Sequence, residues 1–117
     1  MPEGDCIFCK IAAGELSADV VHGDEHTVAF RDINPQAPVH VLVIPRRHIA
    51  SVDDVEAAED VDVMGRLFVA AKEVAEREGV AASGYRLVVN TGEDASQTVD
   101  HIHMHLIGGR GMTWPPG

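Results

Sequence analysis

Apolar residues recur at three- and four-residue steps in only one long stretch of this chain. From about Asp60 to Glu78, the positions Met64, Leu67, Phe68, Ala71, Val74 and Ala75 form a single stripe, with Lys72, Glu73, Glu76, Arg77 and Glu78 off it. This period predicts a long amphipathic helix, and Gly79 is a natural stop for it. Acidic residues between Asp53 and Asp62 suit the approach to a helix N-terminus, where the dipole favours negative charge. Elsewhere the apolar runs are short. Val39 to Ile44, rich in β-branched residues and ended by Pro45, predicts a strand, as does Tyr85 to Asn90. Val20 to His22 and Thr27 to Arg31 read as a hairpin across Gly23-Asp24-Glu25, and Asp32-Ile33-Asn34-Pro35 reads as a turn. A compact apolar stretch from Cys6 to Ala13, stopped by Gly14, predicts one or two helical turns. The last strand runs from His101 to Ile107, after a small, polar loop from Thr91 to Thr98. Strands joined by short turns with one long helix predict an α+β fold, a mainly antiparallel five-stranded sheet with that helix against it.

Composition narrows the class. With 117 residues, 45% hydrophobic and 24% charged, the chain is expected to form a single domain over 1–117 with one core. No apolar run approaches the roughly 20 residues of a membrane span. The start, Met1-Pro2-Glu3-Gly4-Asp5, has neither the basic opening nor the apolar stretch of a signal peptide, so a cytoplasmic location and no membrane partner are expected. Nine Lys and Arg against nineteen Asp and Glu give a net charge of −10. Such a surface opposes the phosphate neutralisation on which nucleic-acid binding rests, so nucleic acid is set aside as a partner. A single small nucleotide is not excluded, because local amides and imidazoles can hold one phosphate.

The chemistry concentrates in His101-Ile102-His103-Met104-His105. On a strand the three imidazoles share one face, roughly 6.5–7 Å apart along the backbone, while Ile102, Met104 and Leu106 pack on the other. On a helix the same spacing would scatter them. Three aligned imidazoles could bind metal, or supply acid, base and nucleophile, and the Gly/Ser/Asp-rich loop before them is of the kind in which backbone N–H groups meet phosphates.

This segment, with Leu106-Ile107 after it, resembles the signature of the histidine-triad (HIT) superfamily. Ala37 to Ile49, Asn90-Thr91-Gly92 with Gln97-Thr98-Val99, and Gly108-Gly109-Arg110 with Trp114-Pro115-Pro116-Gly117 resemble the upstream strand, phosphate loop and tail of its Hint nucleotide-binding branch. The resemblance covers the chain from Cys6 onward. It implies a purine nucleoside phosphoramidase that passes through a nucleotidyl-histidine intermediate, with His103 as nucleophile and His101, His105 and His40 in the catalytic set. Imidazole suits the role, since its ordinary pKa near 6.5 leaves it unprotonated at neutral pH. His105 with Asn90, Gln97 and Thr98 would hold the phosphate oxygens. Asp32 would accept the ribose hydroxyls, and Phe8, Phe30, Ile33 and Leu42, with Ile7 and Ile11, would form the purine slot. Thr98 stands where the family often has Ser. Asp100 stands where the branch often has an aromatic, and its charge could raise nearby imidazole pKa values. The resemblance also implies a homodimer, with the long helix (Leu67, Phe68, Ala70 and Ala71) and a sheet edge at the two-fold axis and Trp114 reaching the partner's site.

Cys6 and Cys9 form a Cys-x-x-Cys pair without the βαβ setting of a thioredoxin-like redox motif. A structural zinc site needs four ligands, and His48 and His101 are the candidates to complete one. Several bacterial relatives, and the galactose-phosphate uridylyltransferases, carry this arrangement, which implies a structural zinc on Cys6, Cys9, His48 and His101 and no magnesium requirement. In that case His40 is the histidine expected to hydrogen-bond near the site. Three other readings stay open at this point: a dinucleoside polyphosphate hydrolase or phosphorylase, a zinc hydrolase using the histidines around a reactive water, and a non-catalytic nucleotide-binding partner protein.

Overall fold

The computed structural model describes residues 3–117; Met1 and Pro2, which open the N-terminal stretch tested for a signal peptide, lie outside them. Helix α1 (Ile7–Ala12) is followed by β1 (Val20–Gly23), β2 (Thr27–Arg31), β3 (Val39–Pro45), α2 (Ala58–Arg77), β4 (Tyr85–Val89) and β5 (Met104–Gly108). The five strands form one antiparallel sheet in the order β1-β2-β3-β5-β4.

Alternation along the strands divides the side chains between two faces. Ala29, Val41, Val43, Met104 and Leu106 pack under α2 against Leu67, Ala70, Ala71, Val74 and Ala75. On the opposite face Val28, Phe30, Leu42 and Ile44 pack against Cys6 and Phe8 at the start of α1. The long helix therefore insulates one face, and the other carries the candidate chemistry under the short helix.

The helix stripe is rotated from its predicted position. Phe68 is 56% exposed, whereas Val63 and Ala70 are buried. Alanines at 70, 71 and 75 let α2 lie close to the sheet, which turns Phe68 outward. The helix begins two residues earlier than expected, at Ala58, where the Asp60 carboxylate accepts the Ala57 and Glu56 amides at 3.1 and 3.2 Å. These bonds, outweighing burial and aided by Arg47, hold its pKa down. Ordered pairing of the last strand starts at Met104 rather than His101. The preceding residues lie outside the ladder and are anchored by Ile102 N–H to Ile49 O. β4 ends one residue earlier than predicted, at Val89, and Gly23 belongs to β1, so that turn is Asp24–His26. Gly109 ends β5 at φ +88°, and a Cβ there would meet Pro38 at 2.9 Å, so this position needs glycine on two counts.

Candidate active site and metal cluster

An apolar cavity of about 630 Å³ lies on the sheet face opposite α2. Ile7, Phe8 and Ile11 of α1 line it, with Phe30 and Leu42 from the sheet and Asp32 and Ile33 from the turn after β2. His103, His105, Thr98 and Val99 close one end.

Hydrogen bonds fix the proton positions on these rings. His103 is 4% exposed, and its Nδ1 lies 2.8 Å from the His101 carbonyl. A carbonyl only accepts, so Nδ1 carries the proton and Nε2 keeps its lone pair. Phe8 meets the same ring edge-on at 5.1 Å and restrains it further. A second chain runs through His40. The Gln36 amide donates to its Nδ1 at 3.0 Å, which places the proton of the neutral ring on Nε2. That nitrogen is 2.9 Å from His105 Nδ1, which must then accept, leaving His105 Nε2–H as a donor. Burial, with His103 and His40 nearby, outweighs the pull of Asp32 and lowers the His105 pKa to about 4. The ring is therefore neutral at pH 7, as this chain of bonds requires.

Asp32, His40 and His105 also bring three donor atoms together. The Gln36 amide argues against a metal there, because it occupies the one lone pair His40 has in this tautomer. The other cluster is different. Cys6, whose Sγ caps α1 by accepting the Cys9 amide at 3.4 Å, lies 3.3 Å from His101 Nδ1. Cys9 Sγ is 3.2 Å from His48 Nδ1 and 3.5 Å from His101 Nδ1. Sulfur and nitrogen bound to one tetrahedral zinc are separated by about 3.5 Å, given the usual Zn–S and Zn–N lengths. His101 Nε2 donates to Pro45 O at 2.8 Å, so its Nδ1 presents a lone pair to the sulfurs, the usual outer-sphere arrangement of a ligating histidine. The two thiols are not joined in a disulfide. Chemically these four residues fit a zinc ion.

A family model for the HIT domain matches residues 13–112. The chain belongs to the HIT family. It is 49% identical over 106 residues to the purine nucleoside phosphoramidase of Escherichia coli K12, covering 91% of this chain and 88% of that protein. A HIT family hydrolase from Legionella pneumophila Philadelphia 1 has a TM-score of 0.92 and 51% identity over 97% of this chain and all of that one. A zinc-bound histidine triad family protein from Mycobacterium smegmatis matches at TM-score 0.76 and 31% identity, over 93% and 78% of the two chains.

Not every residue picked out by the HIT resemblance reaches the cavity. Gln97 is engaged by the backbone instead. Its Oε1 accepts the Gly92 amide at 3.0 Å, and its Nε2 donates to Ala50 O and Val99 O at 2.7 and 3.0 Å. Its own N–H is bonded to Gly92 O, so it braces the loop and has little left for phosphate. Asn90 follows β4 and is not among the cavity-lining residues. Asp100 is exposed on the loop. Trp114 is 80% exposed and lines no part of its own chain's cavity. Ser17, Ala18, Asp19 and Arg31 line the far end, and sequence reasoning did not single them out. The only signal was the polar stretch between α1 and β1, which looks like any connection.

Proposed function

We propose that this chain hydrolyses the P–N bond of purine nucleoside 5′-phosphoramidates, with His103 Nε2 as the nucleophile. The observation that carries the reading is the forced tautomer of His103 at the end of an apolar cavity, beside the His105 N–H. Nε2 attacks the α-phosphorus, the P–N bond breaks and the amine leaves with a proton taken from solvent, which the water attacking in the next step gives back. Water then attacks the nucleotidyl-histidine, releasing the nucleoside monophosphate and restoring the imidazole. His105 Nε2–H and Thr98 hold non-bridging oxygens, and charge on those oxygens is where fixed donors contribute most. Asp32 accepts the ribose hydroxyls, while Phe8, Phe30, Ile33 and Leu42 enclose the base.

Zinc held by Cys6, Cys9, His48 and His101 is structural in this reading. Four protein ligands leave no position for a reactive water, and the ion supplies cross-linking alone. The chain further reads as a cytoplasmic homodimer. Among the described residues no helix is long and apolar enough to cross a membrane. The β4 edge of the sheet and the exposed Val61, Phe68 and Val69 on α2 are surfaces suited to a second copy. Ala70 and Ala71, expected at that interface, are instead buried in the chain's own core.

The deciding experiment is turnover of adenosine 5′-phosphoramidate. Wild-type protein is expected to release AMP, and His103→Ala to fall below about 1% of that rate, on the scale of lost nucleophiles, while still binding AMP. Residual activity of more than a few per cent would remove His103 from the role.

A further inference from the structure

Cys6 and Cys9 are the only cysteines of the chain, and both belong to the short helix that walls the cavity. Cys6 caps α1 and Cys9 lies in its first turn, which the Lys10 amide closes on Cys6 O at 3.1 Å. Three steps along a helical turn put two Cα atoms roughly 5 Å apart, inside the range that a disulfide spans. The two sulfurs and the His48 and His101 nitrogens all lie within 4.8 Å of one another. The pair that fits a zinc ion is therefore also placed to close on itself with little backbone movement.

Exposure differs between the two sulfurs' residues. Cys6 is fully buried, whereas Cys9 is partly open to solvent. An oxidant meets Cys9 first, and Cys6 is the thiol beside it that resolves the product. Metal ligation keeps both as thiolates, the reactive form of sulfur. The cavity wall depends on the same residues. Ile7 and Phe8, between the cysteines, and Ile11 beyond them line the cavity, and Phe8 meets the His103 ring at 5.1 Å. Outside the cluster, α1 is tied down by Phe8 in the core and by Arg46 donating to Ala12 O at 2.7 Å.

We propose that Cys6 and Cys9 form a peroxide-responsive switch on this cavity: oxidation to a disulfide expels the metal, unties α1 from His48 and His101, and weakens nucleotide binding. The Cys9 thiolate attacks hydrogen peroxide, giving Cys9 sulfenic acid and hydroxide. The Cys6 thiolate then attacks that sulfur, which forms the S–S bond and releases a second hydroxide. Two electrons pass from the sulfurs to the O–O bond, and one peroxide is consumed. The remaining imidazoles of His48 and His101 do not make a four-ligand site, so the cation leaves unchanged in oxidation state. A dithiol reverses the step. The disulfide and the metal loss stand on the cluster alone, whereas the consequence for the cavity rests on the functional reading above.

Zinc-loaded wild-type protein treated with a small excess of hydrogen peroxide tests this. The intact chain should lose the mass of two hydrogens, and a chromogenic chelator should detect about one zinc per chain released over an untreated control. Calorimetry should show AMP affinity falling about 10-fold, the scale for losing the support around a metal site. Zinc with a dithiol should restore all three readouts, which separates the pair from methionine oxidation, since a thiol does not reverse that lesion. With no third cysteine, a disulfide within one chain can join only these two. A two-chain product on a non-reducing gel, sulfinic acid at Cys9 in place of the disulfide, zinc retained after oxidation, or unchanged AMP affinity each overturns the switch. Protein that takes up no zinc overturns it together with the metal assignment. If reduced protein does not bind AMP, this inference and the functional reading both fail. If the switch behaves as expected but phosphoramidates are never turned over, only the hydrolytic reading fails.

Discussion

His105 shows how a single side chain's role depends on groups that sequence spacing does not reveal. Its neutral form is set by the Gln36 amide, through His40, and by burial, which lowers its pKa from 6.5 to about 4. In the unfolded chain His105 takes up a proton near pH 6.5, but in the folded chain only near 4. Between these values the unfolded state binds more protons, so stability should fall as pH drops from 6.5 to 4 and be unaffected by this residue above 6.5. Urea denaturation from pH 4 to 7 should show that decline in wild type and a shallower one in His105→Asn. Equal slopes would mean the ring is not held neutral. The identity and alternation of the three histidines are legible in the sequence, but the backbone partners of the Gln97 side chain are not. A side-chain amide serves a phosphate or a backbone carbonyl equally well, and only the positions of Ala50 and Val99 decide which it meets.

At the scale of elements, α1 has six residues, too few to be stable as an isolated helix. Its place depends on Phe8 in the core and on the sulfur–imidazole cluster that ties Cys6 and Cys9 to His48 and His101. His101 also gives its carbonyl to His103, so loosening the cluster should disturb the aim of His103, the proposed nucleophile. Cys9→Ser is expected to lose about one zinc per chain, lower the Tm by about 5–15 °C, and reduce kcat more than it raises KM. Metal analysis, melting curves and steady-state kinetics on the same preparation check this. Wild-type protein without zinc after reducing, chelator-free purification would refute the metal assignment. The pattern of α2 is legible as a helix, yet its rotation is not. Phe68 and Ala70 both lie near the border of the apolar stripe, and the tight fit of alanines against Val41, Val43 and Leu106 selects the one that faces inward.

For the whole molecule, the exposed Trp114 and the unpaired side of β4 matter together. A tryptophan left in water forfeits a large apolar burial, and an open sheet edge invites pairing. Both needs are met if two copies join along β4 and α2 and each tail reaches the other's cavity. Deleting residues 114–117 should leave a two-chain mass in light scattering and leave His103 chemistry intact, while shifting kcat/KM for bulky leaving amines several-fold relative to small ones. Unchanged selectivity across small and bulky amines would make the tail a spectator. A one-chain mass for the intact protein would remove the dimer.

The sequence by itself determined the features that depend on local periodicity and residue chemistry. These include the five strands and long helix, the histidine alternation that puts His103 and His105 on one face, and four sulfur and nitrogen donors with the composition of a zinc site. Hydrophobic period and ligand type are written directly in the order of residues, and each needs only neighbours along the chain to be read. The tertiary structure decided what depends on distance in space. It directed the Gln36 amide to His40, turned Gln97 inward to brace its loop, and rotated Phe68 out to the surface. It also placed Asp19, just before β1, among the residues lining the cavity that His105 of β5 lines, with β2 and β3 between those two strands. Pairing order and close packing join residues far apart along the chain, so no local pattern encodes which side chains will meet.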